Sequence, residues 1–502
     1  MSVRKRFIMM SDYRQTIQYM RPRNSITIVF LVTLVVVSSF SFPTNASPQL
    51  KKDSHNTTDI LHPIPTLIDP KLKVEVVADN LSVPTGIAFL DTHNILVLKR
   101  YRPTSIDPLG GLTTVNLISN GKVKADPVLT VLSGLCDINN PPPGCGKFNE
   151  RGLLGITTRI IDRNNSTLVG NLDIFIYYTE ITITGQILGN RVYKYQWDGH
   201  KLINPSLILD LPAKPGPNHN AGKVLIGPDG YLYTIIGDQG KNRGQVQNVK
   251  DGPPPNNTSG IFRVDPDNGL PAPDNPFITD VMHNAINGKM RNDETVDDFD
   301  KINSTGTLSR YYAYGIRNSF GLAFDPVSGN LWDTENGVFN YDEINLVEPG
   351  FNSGWNELMG PIDRLNKTEA VLVKFNGAQY SDPEFSWKNA VGVTALGFFN
   401  SSKLGEKYRN NLFVGDYGTG SLYFFKLNKN RDGLEFNKTQ PALSDMVADT
   451  AEERSELVLG TGFDIITDIQ TGPDGYLYIV SYSEYSKDHQ SQSRIYRIVP
   501  TN

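Results

Sequence analysis

Apolar and polar positions alternate in short runs along this chain, and turns rich in Gly, Pro, Asp and Asn close each run. The pattern predicts β-hairpins. Gly86-Ile-Ala-Phe-Leu-Asp-Thr-His-Asn-Ile-Leu-Val97 and Gly321-Leu-Ala-Phe-Asp-Pro-Val-Ser-Gly-Asn-Leu-Trp332 share one grammar: an apolar strand, a polar turn and a returning apolar strand. The heptapeptide Gly-Pro-Asp-Gly-Tyr-Leu-Tyr occurs twice, at 227–233 and 472–478, each time followed by β-branched and aromatic residues. Gly152–Glu180 and Asn411–Leu427 also read as strand pairs, which brings the count of sheet units near six. Repeated units with almost no helical periodicity between them predict an all-β fold, a six-bladed β-propeller, over residues 72–500. A β-sandwich with long loops is the competing architecture. In a propeller, loops from several blades converge on one tunnel mouth, and function is expected there.

The first 71 residues read differently. Six basic residues precede an uncharged apolar run over 26–42, followed by small residues at Thr44 and Ala46. Residues 1–46 are expected to be a signal peptide or an N-terminal membrane anchor through 26–42, and the chain an exported or cell-surface protein. Residues 47–71 are polar and contain Pro, which predicts a flexible stalk. Residues 1–46 hold six of the 48 basic and one of the 53 acidic side chains, so the remainder has a net charge of −10. That balance argues against a nucleic-acid partner. Cys136 and Cys145 flank a Pro-rich loop and are expected to form a disulfide outside the cytosol. Asn-x-Ser/Thr sequons recur, among them those at Asn56, Asn80, Asn165, Asn257, Asn303, Asn366, Asn400 and Asn437, and suggest a glycosylated surface.

Three segments carry candidate chemistry. His219 stands before one strand of a hairpin and Asp238 just past the end of its partner, so the hairpin brings an imidazole and a carboxylate together. Such a pair can leave Nε2 as a general base, or it can be a structural contact. Arg317 and Asn318 precede a strand in the same way and should project toward the same mouth; the Arg could hold an anion, polarise a carbonyl or merely cap the strand. Glu335–Trp355 combines glycines with Asp342, Glu343 and Asn345, an oxygen-rich set that suits Ca²⁺.

Together, His-x-x-Gly-Lys (219–223), Gly-Asp-Gln-Gly (237–240), Gly-Ile-Arg-Asn (315–318), Asp-Glu-Ile-Asn (342–345) and Gly-Phe-Asn-Ser-Gly-Trp (350–355) resemble the glucose/sorbosone dehydrogenase family of soluble quinoproteins. The resemblance implies His219 as the base for a sugar hydroxyl, Asp238 as its orienting partner and Arg317 against the carbonyls of pyrroloquinoline quinone (PQQ). It further implies cofactor contacts at Gln239 and Asn318, and Ca²⁺ at the carbonyls of Gly337 and Val338 near Asp342 and Glu343. The chain departs from the family at the cofactor clamp, with Gly418, Ile465 and Thr467 where relatives place Lys and Arg. Lys241, Arg243, Lys388 and Arg409 are the candidate substitutes. The expected function is oxidation of an aldose or polyol, its electron acceptor unnamed. The alternatives are a glycan- or protein-binding propeller without redox chemistry and a Ca²⁺-dependent lactonase or hydrolase.

Overall fold

The alternating segments fold as antiparallel meanders. The computed structural model describes residues 63–100, 110–134, 149–240, 248–252, 255–278, 307–436, 440–483 and 493–501. Among them, four-stranded meanders follow one another six times. The first runs Pro84–Phe89, Asn94–Lys99, Gly110–Ser119 and Leu129–Gly134. The next five lead with Leu153–Ile160, Val224–Ile226, Gly321–Phe324, Val393–Phe399 and Ile465–Thr471. The sixth takes its outer strand from the other end of the chain: Leu72–Leu81 pairs antiparallel with Ser493–Pro500.

Each leading strand packs beside the next leading strand, and the sixth beside the first. Glycine permits the close approach at two of these contacts. A Cβ on Gly155 would lie 2.0 Å from the Gly222 carbonyl oxygen, and one on Gly397 would lie 2.5 Å from that of Ile469. The apolar core lies between successive sheets. Trp332, Phe385 and Trp387 of the fourth meander meet Leu412, Tyr423 and Phe425 of the fifth. Ala78, Ile495 and Tyr478 of the sixth meet Ile87, Val97 and Ile118 of the first. Inward-facing aromatics of this kind hold a meander to its neighbour, and truncating one typically costs about 3–5 kcal/mol.

The duplicated heptapeptide makes the same structure twice. Asp229 Oδ2 accepts from the Tyr233 hydroxyl at 2.8 Å and from Arg263 Nε at 2.8 Å; Asp474 Oδ2 accepts from the Tyr478 hydroxyl at 2.9 Å and from Arg497 Nη1 at 3.0 Å. The Asp fixes the turn and ties it to the third strand of its own sheet.

The end of the stretch assigned to a stalk is ordered. Thr66–Leu67 pairs with Gly460 and Thr461, because Leu67 has an apolar cluster to pack against. The apolar span 26–42, Cys136, Cys145 and the sequons at Asn56, Asn303 and Asn437 lie outside the described residues.

Candidate active site

The turns that enter the leading strands open on one cavity of about 600 Å³. Val83, Glu150, His219, Arg317 with Asn318, and Gly392 each stand just before a leading strand and line it; Ile465 and Thr467 face it from the sixth leading strand itself.

His219 occupies a left-handed conformation, φ 62°. A non-glycine residue adopts this only when its surroundings hold it there. Here they do. Asn220, fully buried, donates Nδ2 to the Pro217 carbonyl at 2.7 Å and accepts from Asn190 at 2.9 Å. The His219 carbonyl accepts from Gly237 N–H at 3.2 Å and from Gln239 Nε2 at 3.1 Å. Its N–H donates to Glu150 Oε2. So held, the imidazole points Nδ1 at Asp238 Oδ1. Asp238 is fixed in turn, accepting from Gly240 N–H at 2.7 Å and from the Trp355 indole N–H at 2.9 Å. An ionised carboxylate only accepts, so Nδ1 carries the proton in this pair and Nε2 keeps its lone pair.

Arg317 joins the same assembly. Its carbonyl accepts from Asp238 N–H at 2.9 Å, and its guanidinium carbon lies 5.5 Å from the centre of the Trp355 ring. Nη1 donates to the Asn336 carbonyl at 2.7 Å, and the backbone N–H donates to the buried Glu335 at 2.7 Å. Burial pulls the guanidinium below its ordinary value, with Asp238 and Glu335 pulling the other way. Asn318 Nδ2 lies 3.4 Å from Glu150 Oε2, the oxygen that also takes the His219 N–H. Glu150 therefore bridges the His219 and Asn318 turns. Burial raises its carboxyl, against the pull of His219 and Arg100. Sequence reasoning missed Glu150 and the indole of Trp355. Glu150 was findable: Asn149-Glu-Arg-Gly152 stands before a strand as His219 and Arg317 do.

The other sequence-derived candidates lie apart. Gln239 does not line the cavity. With φ 58° the chain turns there, and the side chain folds beneath His219. Asp342 and Glu343 are successive strand residues and face opposite sides. Asp342 accepts the N–H groups of Gly337, Val391 and Gly392 at 2.9, 2.7 and 2.6 Å, while Glu343 accepts from Gly360 N–H at 2.5 Å. Their carboxylates brace backbone and do not gather, and among the described residues no three acidic or histidine side chains could hold a metal ion. Of that set, only the carbonyls of Gly337 and Val338, beside a half-exposed Val338 side chain, are left for calcium.

Among the described residues, the cavity offers partners for one end of PQQ and not for the other. Arg317 and Asn318 suit a pair of quinone oxygens. The three carboxylates find no cation at Gly418, Ile465 or Thr467. Lys388 and Arg409 do not line the cavity and pair with Asp449 and Glu406; Lys241 and Arg243 lie outside the described residues.

A sequence profile of the glucose/sorbosone dehydrogenase family matches residues 143–488. Aldose sugar dehydrogenase YliI of Escherichia coli strain K12 is 24% identical over 438 residues, 86% of this chain and 94% of the relative. Quinoprotein glucose dehydrogenase B of Acinetobacter calcoaceticus is 31% identical over 173 residues, 34% of this chain and 32% of the relative. The PQQ-bound aldose sugar dehydrogenase of Streptomyces coelicolor shares the fold, with a TM-score of 0.53 at 20% identity over 86% of this chain and 99% of that one. Matched across more than half its length, this all-β chain belongs to the glucose/sorbosone dehydrogenase family.

Proposed function

We propose that the chain is an exported six-bladed β-propeller dehydrogenase that oxidises a hydroxyl group of an aldose or polyol. The observation that carries this reading is the His219–Asp238 pair opening on the same cavity as Arg317 and Asn318. His219 Nε2 takes the proton from the hydroxyl oxygen while hydride leaves the carbon that bears it, and Asp238 stabilises the imidazolium that forms. A bound quinone would supply the hydride acceptor, a choice that the local likeness to a quinoprotein supports. Arg317 and Asn318 present donors to its carbonyl oxygens. Glu150 and Trp355 hold the base and its partner in place. Ring-to-ring packing of the leading strands and the strand contributed by Leu72–Leu81 support the propeller.

The test is dye-coupled oxidation of a panel of aldoses and polyols by the purified chain supplied with quinone, beside the His219→Gln variant. Sugar-dependent dye reduction lost in the variant supports the reading. Equal rates in both proteins, or none with any sugar, sink it.

A further inference from the structure

Charge is distributed unevenly around the cavity. Among the described residues, the cations lining it are Arg100, Lys223 and Arg317. Lys223 is neutralised where it stands, its ammonium 2.5 Å from Asp468 Oδ1. That carboxylate is itself buried, and its other oxygen accepts from Ile87 N–H at 3.0 Å and Gln470 Nε2 at 2.8 Å. Arg100 and Arg317 remain, facing Glu150. Among the described residues, the opposite wall, formed by Gly392, Thr394, Tyr417, Ile465 and Thr467, carries no charged side chain.

Nor is any side chain of that wall free to supply polar partners in its place. Ile465 is buried, and the Thr467 hydroxyl is engaged with the Pro84 carbonyl at 3.0 Å. At Gly418 a Cβ would stand 2.7 Å from the Val391 carbonyl oxygen, so a lysine there requires the backbone to move. Two arginines, one set against Glu150, cannot balance three carboxylates, and a carboxylate taken out of water without a partner is strongly disfavoured. An uncharged wall beside tyrosine and isoleucine is suited instead to the face of an uncharged ring.

Resting on the dehydrogenase reading, we propose that this cavity takes as its hydride acceptor a quinone bearing at most one carboxylate, in place of the tricarboxylate PQQ. Its carbonyl edge lies on Arg317 and Asn318 and its ring against Tyr417 and Ile465. The sugar CH–OH would lose its hydroxyl proton to His219 and a hydride to the quinone as its C=O forms, and the proton held by His219 would then complete reduction of the quinone.

PQQ and its trimethyl ester share one ring system and differ in charge, so the pair isolates the claim. Calorimetric titration of each into the full purified chain should show the ester binding at least tenfold more tightly. Thr467→Arg, and Ile465→Arg as a second variant, should raise affinity for PQQ at least tenfold without raising that for the ester, wherever the melting temperature shows the variant folded. Tighter binding of PQQ than of the ester overturns the proposal and points to cations such as Lys241 or Arg243 reaching the cavity. Binding of neither ligand overturns it too. Binding of the ester with no sugar-dependent reduction upholds the charge selectivity and sinks the dehydrogenase reading alone.

Discussion

The two walls of the cavity are built by the same topological device and carry opposite chemistry. Turns entering the second, third and fourth leading strands deliver Glu150, His219, Arg317 and Asn318, whereas those entering the first and fifth deliver Val83 and Gly392, and the sixth leading strand itself carries Ile465. The scaffold positions whatever precedes a leading strand; the side chains alone decide what that wall does. The polar wall is also cross-braced, since Glu150 spans two turns and Trp355 ties Asp238 to Arg317. On the neutral wall, Thr467 and Thr394 donate their hydroxyls to carbonyl groups of the sheets. One wall is charged and cross-braced, and the other is neutral.

The sharpest way to break this contrast is to remove the base. His219→Gln should lower sugar oxidation by roughly a hundredfold or more, the usual scale for a positioned base, with the melting temperature little changed. Full activity would make the polar wall structural only. Asp238→Asn should cost less, about tenfold or more in kcat, because the imidazole remains while its tautomer is no longer fixed. A loss equal to that of His219→Gln would mean that Asp238 holds the loop as well as the ring, and a melting curve would show it.

The sequence made the hairpins legible because strand alternation and turn chemistry are local. Gly86–Val97 and both copies of the heptapeptide fold as read. The His219–Asp238 pairing was legible for the same reason, since a hairpin brings its own ends together. The place of Glu150 before a strand was legible too, but its contact with His219 was not, because that contact joins turns 69 residues apart on two sheets. The carboxylates of Asp342 and Glu343 misled for the opposite reason: composition suggests ligands, but adjacency on a strand sends the two side chains to opposite faces. Thr66–Leu67 likewise had no local signal, since its partner Thr461 lies at the far end of the chain.

Glu150 gives a subtler test of the polar wall. Glu150→Gln keeps an amide oxygen in the place of Oε2, which takes both His219 N–H and Asn318 Nδ2, but loses the charge and should lower kcat several-fold; Glu150→Ala loses the acceptor as well and should lower it further. Because Glu150 acts through the pose of His219, KM should move less than kcat. Unchanged kcat in both variants would show that Asp238 and Gln239 suffice to hold His219.

The smallest effect concerns what stands behind the polar wall. Asp333, fully buried on the strand that also carries Glu335, has its carboxyl pushed from 3.8 to about 7 by burial, with Asn345 and Ser319 pulling back. The folded protein therefore prefers Asp333 protonated. That preference is fully present below the unfolded value near 4 and is lost as pH rises through about 7, each unit of difference corresponding to about 1.4 kcal/mol. Asp333→Asn removes the titration while keeping the shape. Its melting temperature should match the parent near pH 4 and exceed it by a few degrees near pH 8. An equal offset at both pH values would show that the substitution acts through packing, and that the acids behind Arg317 do not set how the polar wall responds to pH.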